Sequence, residues 1–321
     1  MFFVTNRILK QSPRSRKGRK VSFELNNTEA QQSVFFCRRD GPGDYIEITS
    51  QPFLAALRDS RAEQILILIH GFSNLPEDDI FPRAALLQQL FDQRRKGMVQ
   101  VVPLIWPCDN DMGIIKDYWD DQKSADASAF AFARVVQKFM AWRALPEAER
   151  LPCLKRINVL AHSMGNRVLR ETLNNWVKYD LRQPPPLLFR NTFMVAADVI
   201  NESLERGNSG EHIAFSSRNV VVYYASDDLA LRSSKISNLK NRVASRRLGH
   251  TGPEDMEKVP QNVYSIDCDD FNTRYDPIKG HSYFLTDELQ HPGLVFEHLC
   301  HCVETGRVAA GATLPARRGL L

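Results

Sequence analysis

Residues 157–169, Ile-Asn-Val-Leu-Ala-His-Ser-Met-Gly-Asn-Arg-Val-Leu, constrain the fold more than any other stretch of this chain. A β-branched, apolar run stops at Ala161-His162-Ser163-Met164-Gly165, and an amphipathic helical pattern begins at once. The segment reads strand, tight turn, helix, with a serine at the turn. A serine there takes a strained backbone conformation while strand and helix pass close on either side. Large side chains two positions before or after it would collide, which accounts for Ala161 and Gly165. The turn lifts the hydroxyl clear of the sheet. It also turns the N–H of Met164, at the helix start, toward a developing negative charge. Ser163 is thus the candidate nucleophile and Met164 a candidate oxyanion donor.

A distant segment suits another part of the same site. Ile65–Ile69 is five apolar residues in a row, the signature of a strand buried on both faces in a parallel sheet. It runs into His70-Gly71-Phe72. Gly71 permits a sharp turn, after which the N–H of Phe72 is the candidate second oxyanion donor. His70 is expected to hold this loop by hydrogen bonding rather than to take part in chemistry.

Around these segments the pattern alternates. Strands are predicted over 2–7, 34–38 and 45–48, with the turn Asp40-Gly41-Pro42-Gly43 between the last two. A short helix near 52–58 leads to the strand at Ile65. Next come a helix over 80–95, a strand over 99–105 and a long helix over 122–143. The elbow strand is placed at 156–161 and its helix at 164–178, with further strands at 190–196, 219–225 and 262–267. The expected fold is α/β, a mostly parallel central sheet with helices on both faces and an antiparallel, β-rich N-terminal part. One domain is predicted, with 1–60 extending the sheet, 61–305 as the core and 306–321 as a tail. The irregular stretches 106–121 and 200–216 are expected to frame the site, since loops at the carboxyl ends of parallel strands carry it.

Composition closes off several alternatives. A net charge of +4 over 321 residues does not point to nucleic acid, and no stretch approaches the ~18 apolar residues of a membrane span. Arg14, Arg16, Lys17, Arg19 and Lys20 form a basic segment, read as a solvated loop with weak contacts to an anionic surface as the minority reading. The first ten residues lack the pattern of a secretory signal. The six cysteines follow no disulfide or zinc spacing, and Cys300-His301-Cys302 lacks a second ligand pair, so no metal and no cofactor are expected and the cytoplasm is the simplest compartment.

The chain resembles the α/β-hydrolase superfamily, and within it a bacterial branch long catalogued as a domain of unknown function. The resemblance rests on Val4-Thr5-Asn6-Arg7, His70-Gly71-Phe72, Ser124-Ala125, Ala161 through Leu169, Ala197-Asp198-Val199 and Ser226-Asp227-Asp228-Leu229-Ala230-Leu231. It covers most of residues 60–300. Ala161 departs from the superfamily's commoner glycine, and a single methyl fits there. The resemblance implies a Ser-His-acid mechanism and says little about substrate.

In such hydrolases the nucleophile precedes the acid and the acid precedes the histidine. Of the eight histidines, His281 in Lys279-Gly280-His281-Ser282 follows the last predicted strand and is favoured as base over His250. Three aspartates compete as the acid. Asp198 ends one strand, and Asp227 and Asp228 follow the run Val220–Ala225. The resemblance places the acid at Asp228. The expected activity is a serine hydrolase acting on a carboxylic ester of small or medium acyl group. A catalytically silent binding protein, or an acyltransferase or thioesterase using the same groups, is the alternative.

Overall fold

A computed structural model describes residues 1–109, 114–146, 150–231, 246–277, 279–309 and 316–317. Most of the expected tail 306–321 therefore lies outside the described residues. Two compact units emerge, one of residues 1–156 and 171–183, the other of 157–170 and 184–321.

In the first unit β1 (Phe2–Thr5) runs antiparallel to β3 (Phe35–Gly41), which pairs antiparallel with β4 (Asp44–Glu47), itself antiparallel to β2 (Arg19–Val21). The β3–β4 hairpin turns at Pro42-Gly43, where Gly43 takes φ +67°. On its other edge β1 pairs parallel with β6 (Val99–Ile105), which is parallel to β5 (Gln64–Ile69). The antiparallel start and parallel continuation follow the sequence pattern. Phe3, Phe23, Tyr45 and Phe81 pack edge-on or tilted in a buried cluster beneath this start. Helix α1 (Ser50–Asp59) packs on β3, and α2 (Phe81–Arg94) packs on β6.

Several boundaries differ from the sequence reading, and the stretch 200–216 contains a short helix, Glu211–Phe215. The loop expected through Lys20 contains the start of β2, because Arg19 reaches Glu47, fully buried, at 2.6 Å. The Arg16 N–H and Ser15 hydroxyl also donate to that carboxylate, while Arg14, Arg16 and Lys17 stay exposed. The stretch 106–121 is not all irregular, since helix α3 spans Ile114–Arg143. The helix placed at 164–178 closes at Asn175 as α4 (Gly165–Asn175) and widens into a π-helical turn, Trp176–Leu181. Arg182 caps that turn with φ +56°.

In the second unit β7 (Arg156–His162), β8 (Phe189–Val195), β9 (Ser217–Tyr224) and β10 (Val263–Asp267) form a parallel sheet in that order, and β11 (Ala316–Arg317) adds an antiparallel edge. From Asn219 to Tyr224 every residue of β9 is buried, as a strand covered on both faces requires. Three asparagines interrupt the apolar interior in register, Asn158 opposite Asn191 and Asn191 opposite Asn219. Asn191 Nδ2 donates to Asn158 Oδ1 and Asn219 Nδ2 to Asn191 Oδ1, both at 2.8 Å. The same amides reach the Cys302 and Gly306 carbonyls at the end of α5 (Leu294–Thr305), which packs on β8. No helix among the described residues is long and apolar enough to cross a membrane.

Candidate active site

The second unit carries the serine, the acids and the histidines together. β7 ends at His162, and Ser163 follows with φ +53°, a left-handed conformation that costs a non-glycine residue ~1–3 kcal/mol. Hydrogen bonds over-determine it. Ser163 N–H donates to Val195 O at 3.0 Å, and its carbonyl accepts the N–H groups of Asn166 and Asp198 at 3.1 and 3.2 Å. The Asn166 amide then reaches the Ala161, Ser163 and Val195 carbonyls, stapling the strand end, the turn and the neighbouring strand. Asn166 is the residue that makes the elbow rigid. Met164, at the head of α4, gives its carbonyl to Arg167 and Val168, while its own N–H meets no acceptor among the described residues. Ser163 itself is only 2% exposed.

Asp228 and His281 form the central pair. Asp228 is fully buried just beyond β9, and its Oδ2 lies 2.6 Å from His281 Nδ1. Its Oδ1 accepts the Leu231 N–H at 2.9 Å. With Nδ1 engaged by the carboxylate, His281 Nε2 is left buried with no hydrogen-bond partner. No hydrogen bond joins it to Ser163 Oγ in this state. The histidine nevertheless sits against the elbow, because its ring centroid lies 4.8 Å from that of His162 and its carbonyl contacts His162 Nε2 at 3.2 Å.

The loop that carries His281 is tightly held. Asp276 Oδ2 accepts the N–H groups of His281 and Ser282 at 2.8 and 2.7 Å. Gly280 takes φ +60° with Asn272 Nδ2 pressed on it, and a Cβ there would lie 2.5 Å from that nitrogen. Asn272 donates to the Gly280 carbonyl and to Asp227 Oδ1, tying the acid loop to the histidine loop. Leu229 N–H adds a bond to Lys279 O at 3.0 Å.

The other candidates make contacts of their own. Asp227 holds Asn272, as above. Asp198 lies 3.1 Å from Arg247 in a buried ion pair. His250 lies in a one-turn helix, Leu248–Thr251. That turn packs so closely that a Cβ on Gly249 would lie 2.1 Å from the Ala196 carbonyl carbon.

In the first unit, the loop after β5 is pinned almost atom by atom. His70 stacks flat on Trp106, its Nδ1 engages the Gly71 carbonyl at 2.8 Å, and its Nε2 accepts the Trp106 N–H at 3.2 Å. Burial pushes its pKa down to about 3, so it is a neutral structural ring. Ser73, at φ +55°, donates its N–H to Asp121, Asn74 to Cys108 Sγ and Leu75 to Asp79. The Phe72 N–H, by contrast, meets no acceptor among the described residues. The sequence pattern shows the glycine and the histidine of this loop, but not the acceptors that hold it.

The fold is that of an α/β hydrolase. The chain belongs to the family described as "Alpha/beta hydrolase of unknown function (DUF900)", whose model matches residues 47–293. It matches no curated protein. Among solved structures it is similar to part of phospholipase PlaB from Legionella pneumophila. In the complex of that enzyme with thio-NAD the identity is 17%, over 51% of this chain and 38% of PlaB, at a TM-score of 0.28. A second PlaB structure gives 15% identity over 55% of this chain and 42% of PlaB, at 0.30. The chain thus spans about two fifths of PlaB.

Proposed function

We propose that the protein is a serine hydrolase that cleaves a carboxylic ester of small or medium acyl group. Ser163 is the nucleophile, His281 the general base and Asp228 the acid that orients it. The reading is carried by one observation: a buried Asp228–His281 bond leaves a single imidazole nitrogen unpartnered, in the unit that holds the strained Ser163. A carboxylate on Nδ1–H fixes the tautomer whose Nε2 lone pair accepts a proton, which serine needs to become nucleophilic.

In the first half-reaction the Ser163 Oγ proton passes to His281 Nε2 as Oγ bonds the acyl carbon. The carbonyl oxygen, now negative, is met by the Met164 N–H. Collapse breaks the ester C–O bond, and His281 returns the proton to the leaving alcohol. Water then attacks the acyl-serine, giving its proton to His281, which passes it to Ser163 Oγ as the C–Oγ bond breaks and the acid is released. Asp228 stays ionised throughout and steadies the imidazolium.

The test is a fluorophosphonate probe followed by p-nitrophenyl esters from acetate to decanoate. Wild-type protein is expected to be labelled at Ser163 and to prefer the shorter esters, and Ser163→Ala to be neither labelled nor active. Folded wild type that carries no label, or a label elsewhere, refutes the assignment. Labelling with hydrolysis of thioesters in place of oxygen esters would keep the mechanism and change the substrate class.

A further inference from the structure

The backbone of His281 is held on both sides. Its N–H donates to Asp276 Oδ2 at 2.8 Å, and its carbonyl faces His162 Nε2 at 3.2 Å. Asp276 lies in the same segment as the histidine, between β10 and α5. His162 comes from elsewhere: it is the last residue of β7, in register with Val195 of β8, and Ser163 follows it directly. A carbonyl oxygen only accepts, so the Nε2 that faces it carries the hydrogen. His162 is 4% exposed, and its ring lies 4.8 Å from the His281 ring and 5.1 Å from the Phe284 ring, centroid to centroid. Phe284 is buried three residues beyond His281, so ring and donor both bear on the same loop.

The side chain that bears this donor starts from a fixed place. Strand β7 pairs with β8 residue by residue from Asn158 to His162, and the Asn166 amide ties the turn beyond it to the Ala161, Ser163 and Val195 carbonyls. At the other end Asp228 holds the imidazole through Nδ1 at 2.6 Å. The His162–His281 bond thus joins the segment that carries the proposed nucleophile to the segment that carries the proposed base. Proton transfer between two such groups is steep in their separation, and ~1 Å of misplacement costs about 10²-fold in rate. We infer that His162 is a positioning residue of the hydrolytic reaction, whose Nε2–H holds the His281 carbonyl and so sets the distance from the imidazole to Ser163. The inference rests on the serine-hydrolase reading above and extends it to a residue that takes no proton from nucleophile or substrate.

Two variants separate the donor from the ring. His162→Phe keeps a ring against His281 and Phe284 and removes the N–H, whereas His162→Gln keeps an N–H at similar reach and removes the ring. With p-nitrophenyl butyrate, His162→Phe is expected to lose about 10²-fold in kcat, with KM within about threefold. Fluorophosphonate labelling of Ser163 is expected to slow in parallel. His162→Gln is expected to recover to within about tenfold of wild type in both assays. Equal losses in the two variants, a loss confined to KM, or a His162→Phe protein that labels at the wild-type rate overturns the inference. Should His162→Phe fail to fold, nitrogen NMR of the wild-type histidine rings decides. Hydrogen on His162 Nε2 supports the inference, and a bare Nε2 with the hydrogen on Nδ1 overturns it. Wild type that never labels at Ser163 refutes the hydrolase reading itself, so the two failures are distinguishable.

Discussion

His70 and His281 are both buried histidines, each in a loop on the carboxyl side of a parallel strand, β5 and β10 respectively, yet they do opposite things. Both nitrogens of His70 are engaged with backbone and its ring lies flat on Trp106. His281 has one nitrogen on Asp228 and the other unpartnered. Burial alone therefore does not distinguish the proposed base from a structural histidine. What separates the two is whether the structure leaves a lone pair unoccupied and supplies a carboxylate to choose which one.

The comparison breaks most decisively at His281. Its replacement by alanine is expected to lower ester turnover by about 10⁶-fold, the scale of losing a triad base, with an unchanged circular dichroism spectrum. Asp228→Asn keeps the shape and is expected to cost about 10⁴-fold by favouring the wrong tautomer. Asp227→Asn, which touches Asn272, should stay within about tenfold. If the two aspartate variants behave alike in a p-nitrophenyl ester assay, the pairing with His281 is not what orients the base.

Asp198→Ala separates charge that is structural from charge that is chemical. It leaves Arg247 buried opposite an empty position and is expected to cost about 3–5 kcal/mol in urea unfolding. Folded protein should still take the fluorophosphonate at Ser163. A smaller loss of about 1–3 kcal/mol is expected for His70→Leu, which strips the Trp106 N–H of its acceptor. His70 also sets an acid limit. Its folded pKa lies below the unfolded value, so its contribution to stability is present above about 6.5 and is lost as pH falls toward about 3. The His70→Leu protein should lack that part of the acid transition in a pH series of thermal melts.

Asp121 carries the reverse sign and the smallest effect. Burial pushes its carboxyl up to about 8, with Asp109 adding to the shift and the Ser73 and Asp109 N–H groups and Arg7 opposing it. Its favourable contribution is complete below the unfolded value near 4 and is lost as pH rises through about 8. Asp121→Asn does not titrate, so its melting temperature relative to wild type should rise between those limits. A constant difference across that range would show that Asp121 ionises normally in the fold.

Much of this was legible in the residues. The runs Ile65–Ile69 and Val220–Ala225 announce parallel strands because both faces are covered, and Ala161 and Gly165 announce the turn between them in chain order. The family match over 47–293 agrees with that reading of the fold. The supports were not legible. Asp276, Asn272 and Asp121 act through backbone N–H groups brought close by folding, and a lone aspartate or asparagine in a sequence looks the same whether it faces water or holds a loop. The strand at Arg19 stayed hidden for a related reason. A basic residue reads as solvated until its partner, here the buried Glu47, is known.

The asparagines at 158, 191 and 219 have a consequence for how the chain finds its register. Beyond these asparagines the strands carry apolar runs, Val159–Ala161 in β7, Phe193–Val195 in β8 and Val220–Tyr224 in β9, whose side chains resemble one another too closely for apolar contact alone to fix the register. A one-residue slip of β8 would tear both side-chain amide bonds of the row, and one of β7 would tear the Asn158–Asn191 bond, stranding polar groups in a dry interior at ~1–3 kcal/mol for each unmet group. The slip of β7 would also turn Ser163 to the opposite face. Three polar residues at the far end of the strands thus act as an alignment key, rejecting near-native pairings before the reactive end is assembled.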